Sequence, residues 1–307
     1  INFEKILIDY EKESIIWAEL KGKLKNENFK YFLKIEDQIV EKEFFTEKNI
    51  KKNNSLIILN ENTYSIGGNL LIKEPIIIPK NFNLVITPGS NLSFDRNSFI
   101  YINGGNLIID GKDDGVKLKP IRDYWRGIYV NNSKSLSKII NADISSTKFF
   151  NYSGISLTGG INFYNSDVDI KSSSIINSKS EDAINIINSN FKIIDSRITG
   201  AVSDGIDSDF SKGLIKNTLF ENIGGDAIDT SGSTVNILST EIFNINDKAL
   251  SAGEESDVYI EELKIDSARF GIVSKDLSKV KGSNINITNS SEYDIMAFEK
   301  KMHYGPG

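Results

Sequence analysis

A repeat of 22 residues constrains this chain more than any other feature. Ile161, Ile184, Ile206, Ile228, Leu250, Ile272 and Ile295 follow one another at intervals of 23, 22, 22, 22, 22 and 23 residues. Three further columns keep the same register. They are Ser166, Ser189, Ser211, Ser233, Ser256 and Ser278; Val168, Phe191, Gly213, Val235, Val258 and Val280; and Ile175, Ile198, Phe220, Ile242, Ile265 and Ile287. Self-similarity at a fixed period of this length is the signature of stacked repeats. Within a unit, short stretches such as Val235-Asn236-Ile237 and Val258-Tyr259-Ile260 alternate with period two, which makes them strands too short to bury a face alone. Stacking the units at about 4.8 Å pairs every strand with its neighbours and merges the inward side chains into one apolar column. Helical repeats fit badly, because Ile, Val, Asn, Asp, Ser and Gly dominate and are weak helix formers. The repeat length accommodates three strands and three turns. The expected fold is therefore all-β, a right-handed parallel β-helix of about ten coils over residues 64–300, in a domain spanning 64–307.

The earlier coils are less regular. Pro75-Ile76-Ile77-Ile78-Pro79 and Leu84-Val85-Ile86-Thr87-Pro88-Gly89 read as opening strands, with prolines where ladder donors are dispensable. Trp125-Arg126-Gly127-Ile128-Tyr129-Val130 begins a further coil, and Trp125 is expected to plug the core or a corner rather than to serve as a ligand platform. Residues 1–55 differ in texture, holding 22 of the 78 charged residues. They read as a small β-rich or mixed N-terminal region ending in the linker Lys51–Ser55. Lys5–Tyr10 and Tyr31–Ile35 are its candidate strands, and Glu41–Glu47 a candidate helix.

Composition narrows the chemistry. The 307 residues carry 36 basic and 42 acidic side chains, a net charge of −6, which disfavours nucleic acid as a partner. Without cysteine, disulfides, thiolate metal sites and thiol nucleophiles are excluded; the single histidine, His303, makes a Ser-His-Asp triad a poor expectation. No apolar run approaches the roughly 20 residues that span a membrane. The chain begins at Ile1 without a methionine or signal-like segment, as a processed or excised piece would. Its 49 Ile and 33 Asn find a place in the repeat: Ile in inward ladders, Asn with Ser, Asp and Gly at the corners.

Val85-Ile86-Thr87-Pro88-Gly89-Ser90 and Trp125-Arg126-Gly127-Ile128 resemble the first coils of pectate-lyase-like right-handed β-helix repeats. Ser203–Phe210, Gly225–Asp229, Asp247–Glu254 and Gly271–Asp276 resemble β-helix segments of bacterial surface proteins, some of which follow a spore-coat CotH-type kinase domain. The chain itself carries no Gly-rich nucleotide loop and no HRD-type catalytic loop. The resemblance covers roughly residues 70–305. It implies the fold and an extracellular or cell-surface setting, but not one activity, since the superfamily spans lyases, hydrolases, epimerases, tailspikes and inactive adhesins.

Chemistry, if present, belongs to the columns flanking Ile161–Ile295. Two residues before successive isoleucines stand Asp182, Asp204, Asp226 and then Lys248; one residue after stand Asn185, Asp207, Asp229 and then Ser251. Strand alternation turns the second set outward, so Asp207 and Asp229 should stack about 5 Å apart. Such a pair needs a proton, a cation or a basic neighbour, and Lys248 lies one coil beyond Asp226. Asp207, Asp209 and Asp229 form a candidate calcium site, because calcium takes several oxygen ligands. A lyase would need a group to neutralise a uronate and a basic side chain to remove the α-proton; Lys248 and Lys275, with Asp229, are the catalytic candidates. Asp204, Asp226, Glu254, Arg269 and Asp276 would then bind substrate. A glycosidase would need two carboxyls flanking the bond, either Asp207 with Asp229 or Asp229 with Glu254. The competing reading is structural: Asp and Asn in repeated turns hydrogen-bond nearby amides. Two functions remain in view. One is an extracytoplasmic module that displays partner domains or recognises a polysaccharide or cell-surface glycan, with or without calcium. The other is an enzyme, a lyase of an acidic glycan more readily than a glycoside hydrolase.

Overall fold

The computed structural model describes residues 16–24, 27–35, 56–152 and 155–307. The chain divides into two compact units, Ile1–Lys51 and Lys52–Gly307. In the first, β1 (Ile16–Leu24) and β2 (Glu27–Ile35) pair antiparallel, with Ile16 opposite Ile35 and Leu24 opposite Glu27. The expected strand Tyr31–Ile35 lies within β2. The readings of Lys5–Tyr10, Glu41–Glu47 and the Lys51–Ser55 linker lie outside the described residues.

The second unit is a β-solenoid of about ten turns, and no helix occurs among the described residues. Each turn contributes a strand to each of three faces, and each strand pairs in parallel with its counterpart one turn away. The first face runs from Thr63–Ile66 through Val168–Lys171 and Lys212–Lys216 to the strand at Lys279. The second contains Asn69–Ile72, Ser174–Ile176 and Leu219–Ile223. The third contains Ile100–Asn103, Gly159–Tyr164, Asp182–Ile187, Asp204–Asp209 and Ile228–Ser231, and ends at Tyr293–Phe298. A strand at Ile57–Asn60 folds back antiparallel on Thr63–Ile66 before the turns begin.

The register obeys the columns read from the sequence. Ile161 pairs with Ile184, and the ladder continues through Ile206, Ile228, Leu250, Ile272 and Ile295 on the third face. Val168 to Val280 is the inward column of the first face, and Ile175 to Ile287 that of the second. The serine column is a hydrogen-bonded stack. The backbone N–H of Ser166 donates to Ser189 Oγ at 2.8 Å, and the same bond recurs from Ser189 to Ser211, Ser233, Ser256 and Ser278. Trp125 plugs the core: it is fully buried, stacks on Phe94 at 4.1 Å between ring centroids, and donates its indole N–H to Ser145 O.

In the regular coils each face gives way to the next through a residue with positive φ, and Asn, Ser, Asp and Gly tolerate that conformation best. The column between the third and first faces is Asn132, Asn165, Asn188, Phe210, Gly232, Glu254 and Asp276. Asn141, Ser172, Asp195 and Asn217 serve the next corner, and Ser146, Asn177, Gly200 and Asn222 the third. These corners account for much of the asparagine excess.

Candidate functional site

The third face differs from the other two in what it points outward. Its outward column reads Tyr101, Tyr129, Asn162, Asn185, Asp207, Asp229, Ser251 and Val273 in strict register. A second column at the start of the strands reads Asp182, Asp204, Asp226 and Lys248, with Asp182 paired to Asp204. These positions are less open than an outer face usually is. Asp182, Asn185 and Asp226 are buried, and Asp204, Asp207, Asp209 and Asp229 are half-buried.

The two columns converge at Asp204, Asp226 and Asp229. One carboxylate oxygen from each lies within 4.8 Å of the others. Gly225, Asp226 and Ala227 precede the strand Ile228–Ser231 rather than extend it, so strict alternation does not send Asp226 and Asp229 to opposite sides. Asp204 Oδ1 accepts the backbone N–H of Asp226 at 2.8 Å, and Asp226 Oδ1 accepts that of Lys248 at 2.9 Å. Each carboxyl is thus fixed by the coil above it. The Lys248 ammonium reaches Asp226 Oδ1 and Oδ2 at 3.1 and 3.3 Å and also bonds Asp247.

Asp229 is held differently. Its Oδ1 is sealed from solvent and has no hydrogen-bond partner among the described residues. The buried Lys275 ammonium stands 3.8 Å away and spends its own hydrogen bond on Ser251 Oγ at 2.8 Å. Two coils earlier, Asn185 Nδ2 spans the two columns, donating to Asp182 Oδ2 at 2.9 Å and Thr158 Oγ1 at 3.2 Å, with Asp207 Oδ2 at 3.5 Å.

Packing carboxyls into a half-buried strip has an electrostatic consequence. Burial, compounded by the charges of Asp209, Asp182, Asp229 and Asp204, pushes Asp207 up to about 9. Asp204 rises to about 7, chiefly through burial, against the pull of the Asp226 amide. Asp182, Asp209 and Asp226 also lie above the usual carboxylate range, burial being the main cause in each; at Asp226 it outweighs the neighbouring Lys248. Burial acts to lower Lys248, yet the hydrogen bonds to Asp247 and Asp226 hold it above its ordinary value.

The remaining sequence candidates are placed as follows. Among the described residues Arg269 is joined to the cluster through Asp247, 3.8 Å from its guanidinium; its Nε donates to Glu292 at 2.7 Å and it lies over the Phe270 ring. Glu254 occupies the corner column and pairs with Lys301. Burial opposes ionisation there, but hydrogen bonds from Lys301 and Ser231 keep its carboxyl below the usual range. Asp276 is fully buried, and its Oδ1 accepts the backbone N–H groups of Lys300 and Lys301, both at 2.7 Å. It anchors the C-terminal segment and stands apart from the carboxylate cluster. Asp207 and Asp209 lie beside the cluster but outside the Asp204–Asp226–Asp229 group. The sequence columns gave no weight to Asp247, which links Lys248 to Arg269, or to Lys301, which lies past the last repeat. The adjacency of Asp247 to Lys248 was the available signal for the first; the second had none.

No protein-family model and no curated protein matches the chain by sequence. Solved structures do resemble it in fold. The catalytic domain of a GH87 α-1,3-glucanase in complex with nigerose matches with a TM-score of 0.38 and 12% identity, over 75% of this chain and 62% of that one. The chain therefore spans less than two thirds of the glucanase domain. PfbA, a surface adhesin of Streptococcus pneumoniae, matches with a TM-score of 0.36 and 12% identity over 79% of this chain and 87% of that one. The periplasmic alginate epimerase AlgG matches with a TM-score of 0.28 and 8% identity, covering 80% of each chain. Among the described residues, no helix is long and apolar enough to cross a membrane.

Proposed function

We propose that this chain is an extracytoplasmic β-helix module that binds an acidic glycan along its third face, with a calcium ion between the protein carboxylates and the sugar acid. The observation that carries this reading is the convergence of Asp204, Asp226 and Asp229 within 4.8 Å. Calcium holds its oxygen ligands at 2.3–2.6 Å, so two ligands of one ion lie at most about 5 Å apart. The donor set is all oxygen and suits a hard cation. Lys248 pairs with Asp226 and Lys275 stands 3.8 Å from Asp229, which leaves Asp204, with no basic partner among the described residues, in the strongest demand for a counter-ion. Calcium would meet that demand and leave coordination positions for a uronate carboxylate that the net-acidic chain would otherwise repel. The extracytoplasmic setting rests on the resemblance of segments such as Ser203–Phe210 and Gly225–Asp229 to surface-protein coils.

An enzyme is the second reading, and one observation favours its hydrolytic form. A carboxyl pushed to about 7, as Asp204 is, holds a proton on about half of the molecules at neutral pH and so meets the first requirement of a general acid for glycoside hydrolysis. The lysines that a lyase would use are committed elsewhere: Lys248 to two carboxylates, and Lys275 buried against Ser251.

The test is calorimetric titration with calcium alone, then with polygalacturonate, alginate and the neutral glucan laminarin, each with calcium or with chelator. Unsaturated products and reducing ends are followed in the same mixtures. Calcium binding that is lost in Asp204→Asn and Asp229→Asn, with uronate binding that requires calcium, is the expected outcome. Reducing ends formed without unsaturated product, and abolished by Asp204→Asn, would install the hydrolase instead. An absence of calcium binding and of glycan binding would overturn both readings.

A further inference from the structure

Phe210 breaks the rule of its column. Asn165 and Asn188 before it and Gly232 after it occupy the left-handed region, where Asn and Gly sit at low cost. Phe210 adopts the same conformation, with φ of +49°, and for a bulky side chain this costs on the order of 1–2 kcal/mol. The usual compensation would be burial, yet Phe210 is 69% exposed. Neither the backbone nor the core explains an aromatic residue here.

The next turn is cut to receive its ring. A Cβ on Gly232 would lie 2.7 Å from Phe210 Cδ1 and 2.9 Å from Cε1, so only glycine lets the ring rest against that backbone. The surroundings are polar. Asp209 precedes Phe210 and pairs with Ser231, and Asp207 pairs with Asp229 two residues back along the same strands. Tyr164, 47% exposed, stands in the register column of Asp209 two coils earlier. The backbones of Tyr164 and Asp209, the residue before Phe210, are thus roughly 10 Å apart, two strand spacings, which is about the length of a disaccharide.

We propose that Phe210 is a stacking platform for a pyranose ring of a glycan lying along the third face, with Tyr164 carrying the next sugar but one. This inference rests on the glycan-binding reading above. An aromatic face takes the C–H side of a pyranose, while carboxylates and hydroxyls one strand away accept hydrogen bonds from its hydroxyl edge. A protein partner would favour a contiguous apolar patch, whereas the neighbours of Phe210 on this strip are Asp and Ser.

The experiment compares wild type, Phe210→Asn and Phe210→Trp for thermal unfolding and for affinity to polygalacturonate, alginate and laminarin with calcium, with light scattering alongside. Phe210→Asn should raise the unfolding midpoint, because asparagine suits the left-handed corner, and should weaken glycan binding by about tenfold or more. Phe210→Trp should retain binding. Unchanged affinity in Phe210→Asn, or a lowered midpoint, overturns the assignment. So does a wild-type dimer that Phe210→Asn dissociates, since the occupant would then be a second copy of this chain. Binding that survives Phe210→Asn but is lost in Asp229→Asn removes Phe210 alone and leaves the site standing. Wild type that binds no glycan removes both.

Discussion

Replacing Lys248 by methionine tests whether the third face is held together by charge compensation. The ammonium contacts both oxygens of Asp226, whose side chain is 8% exposed, and one of Asp247. Methionine keeps most of the side-chain volume and removes the charge together with the N–H donors that carry it. Asp226 is then left with Asp204 and Asp229 close by and no cation. Breaking one partner of a buried pair costs about 3–5 kcal/mol. The lower end applies here, because Lys248 is itself 19% exposed and Asp226 escapes part of the penalty by taking up a proton. About 3 kcal/mol in a unit of this size lowers the unfolding midpoint by roughly 6–12 °C. The pH dependence identifies the mechanism. Lys248 has a raised folded value, so its own contribution is fully present below its ordinary lysine range and flat across the acid and neutral region. The slope comes from Asp226: without the ammonium its folded value climbs further, and a raised carboxyl loses stability as pH rises above the unfolded value. The deficit of Lys248→Met should therefore grow from about pH 4 to pH 8, and calcium should rescue it more than it stabilises wild type. The double variant Asp226→Asn with Lys248→Met should recover most of the loss, as denaturant titration at both pH values would read. A deficit equal at pH 4 and pH 8, or a double variant as unstable as the single one, would refute the charge argument and make Lys248 a packing residue.

Three further outcomes follow from the geometry. Asp207 is held at about 9 against an unfolded value near 4, so the folded state binds an extra proton between these limits. Stability should fall as pH rises through that window, by at most about 1.4 kcal/mol per pH unit from this group, and Asp207→Asn should flatten the profile when midpoints are measured from pH 5 to pH 9. Ser233→Ala removes the acceptor of the Ser211 N–H at 3.0 Å and the donor to Ser208 O at 2.8 Å. It should cost about 1–3 kcal/mol, and hydrogen exchange at the Ser211 amide should accelerate while amides in distant coils are unchanged. Gly213→Val should destabilise by about 1–3 kcal/mol, because a Cβ there would lie 2.0 Å from Phe191 Cζ. Denaturant midpoints should show Phe191→Val combined with Gly213→Val recovering more than half of that loss.

The Phe191–Gly213 exchange shows how far the sequence carries the fold. A column of valines interrupted by Phe and then Gly looks like a lapse in the repeat. In the structure the Phe191 ring fills the volume that Gly213 vacates in the next coil, so the two irregularities are one packing solution. The solenoid was legible because every coil sets the same problem and meets it with the same residue types. The site was legible only in part. Asp204, Asp226, Asp229 and Lys248 stood out as columns, but strand alternation grouped Asp229 with Asp207 and Asp209, since it assumes an unbroken strand through Asp226. The contacts of Lys301 with Glu254, and of the Lys300 and Lys301 amides with Asp276, come from residues beyond the last repeat, where the periodicity has nothing to say.

The same periodicity separates what the fold demands from what it merely carries. A residue required by the corner or the ladder recurs at every turn, as the serine column does from Ser166 to Ser278 with one hydrogen bond repeated. The outward acids of the third face do not recur. Equivalent positions hold Tyr129 and Asn162 before them and Ser251 and Val273 after them, all buried without a carboxylate. The fold therefore also closes this face with neutral side chains. It nevertheless concentrates Asp182, Asp204, Asp207, Asp209, Asp226 and Asp229 in three consecutive coils, where burial pushes five of them toward the protonated form. Phe210, the one aromatic residue at its corner, stands in the middle coil of the three. Turn chemistry would spread such residues along the solenoid; a ligand that touches three adjacent coils would gather them where they are.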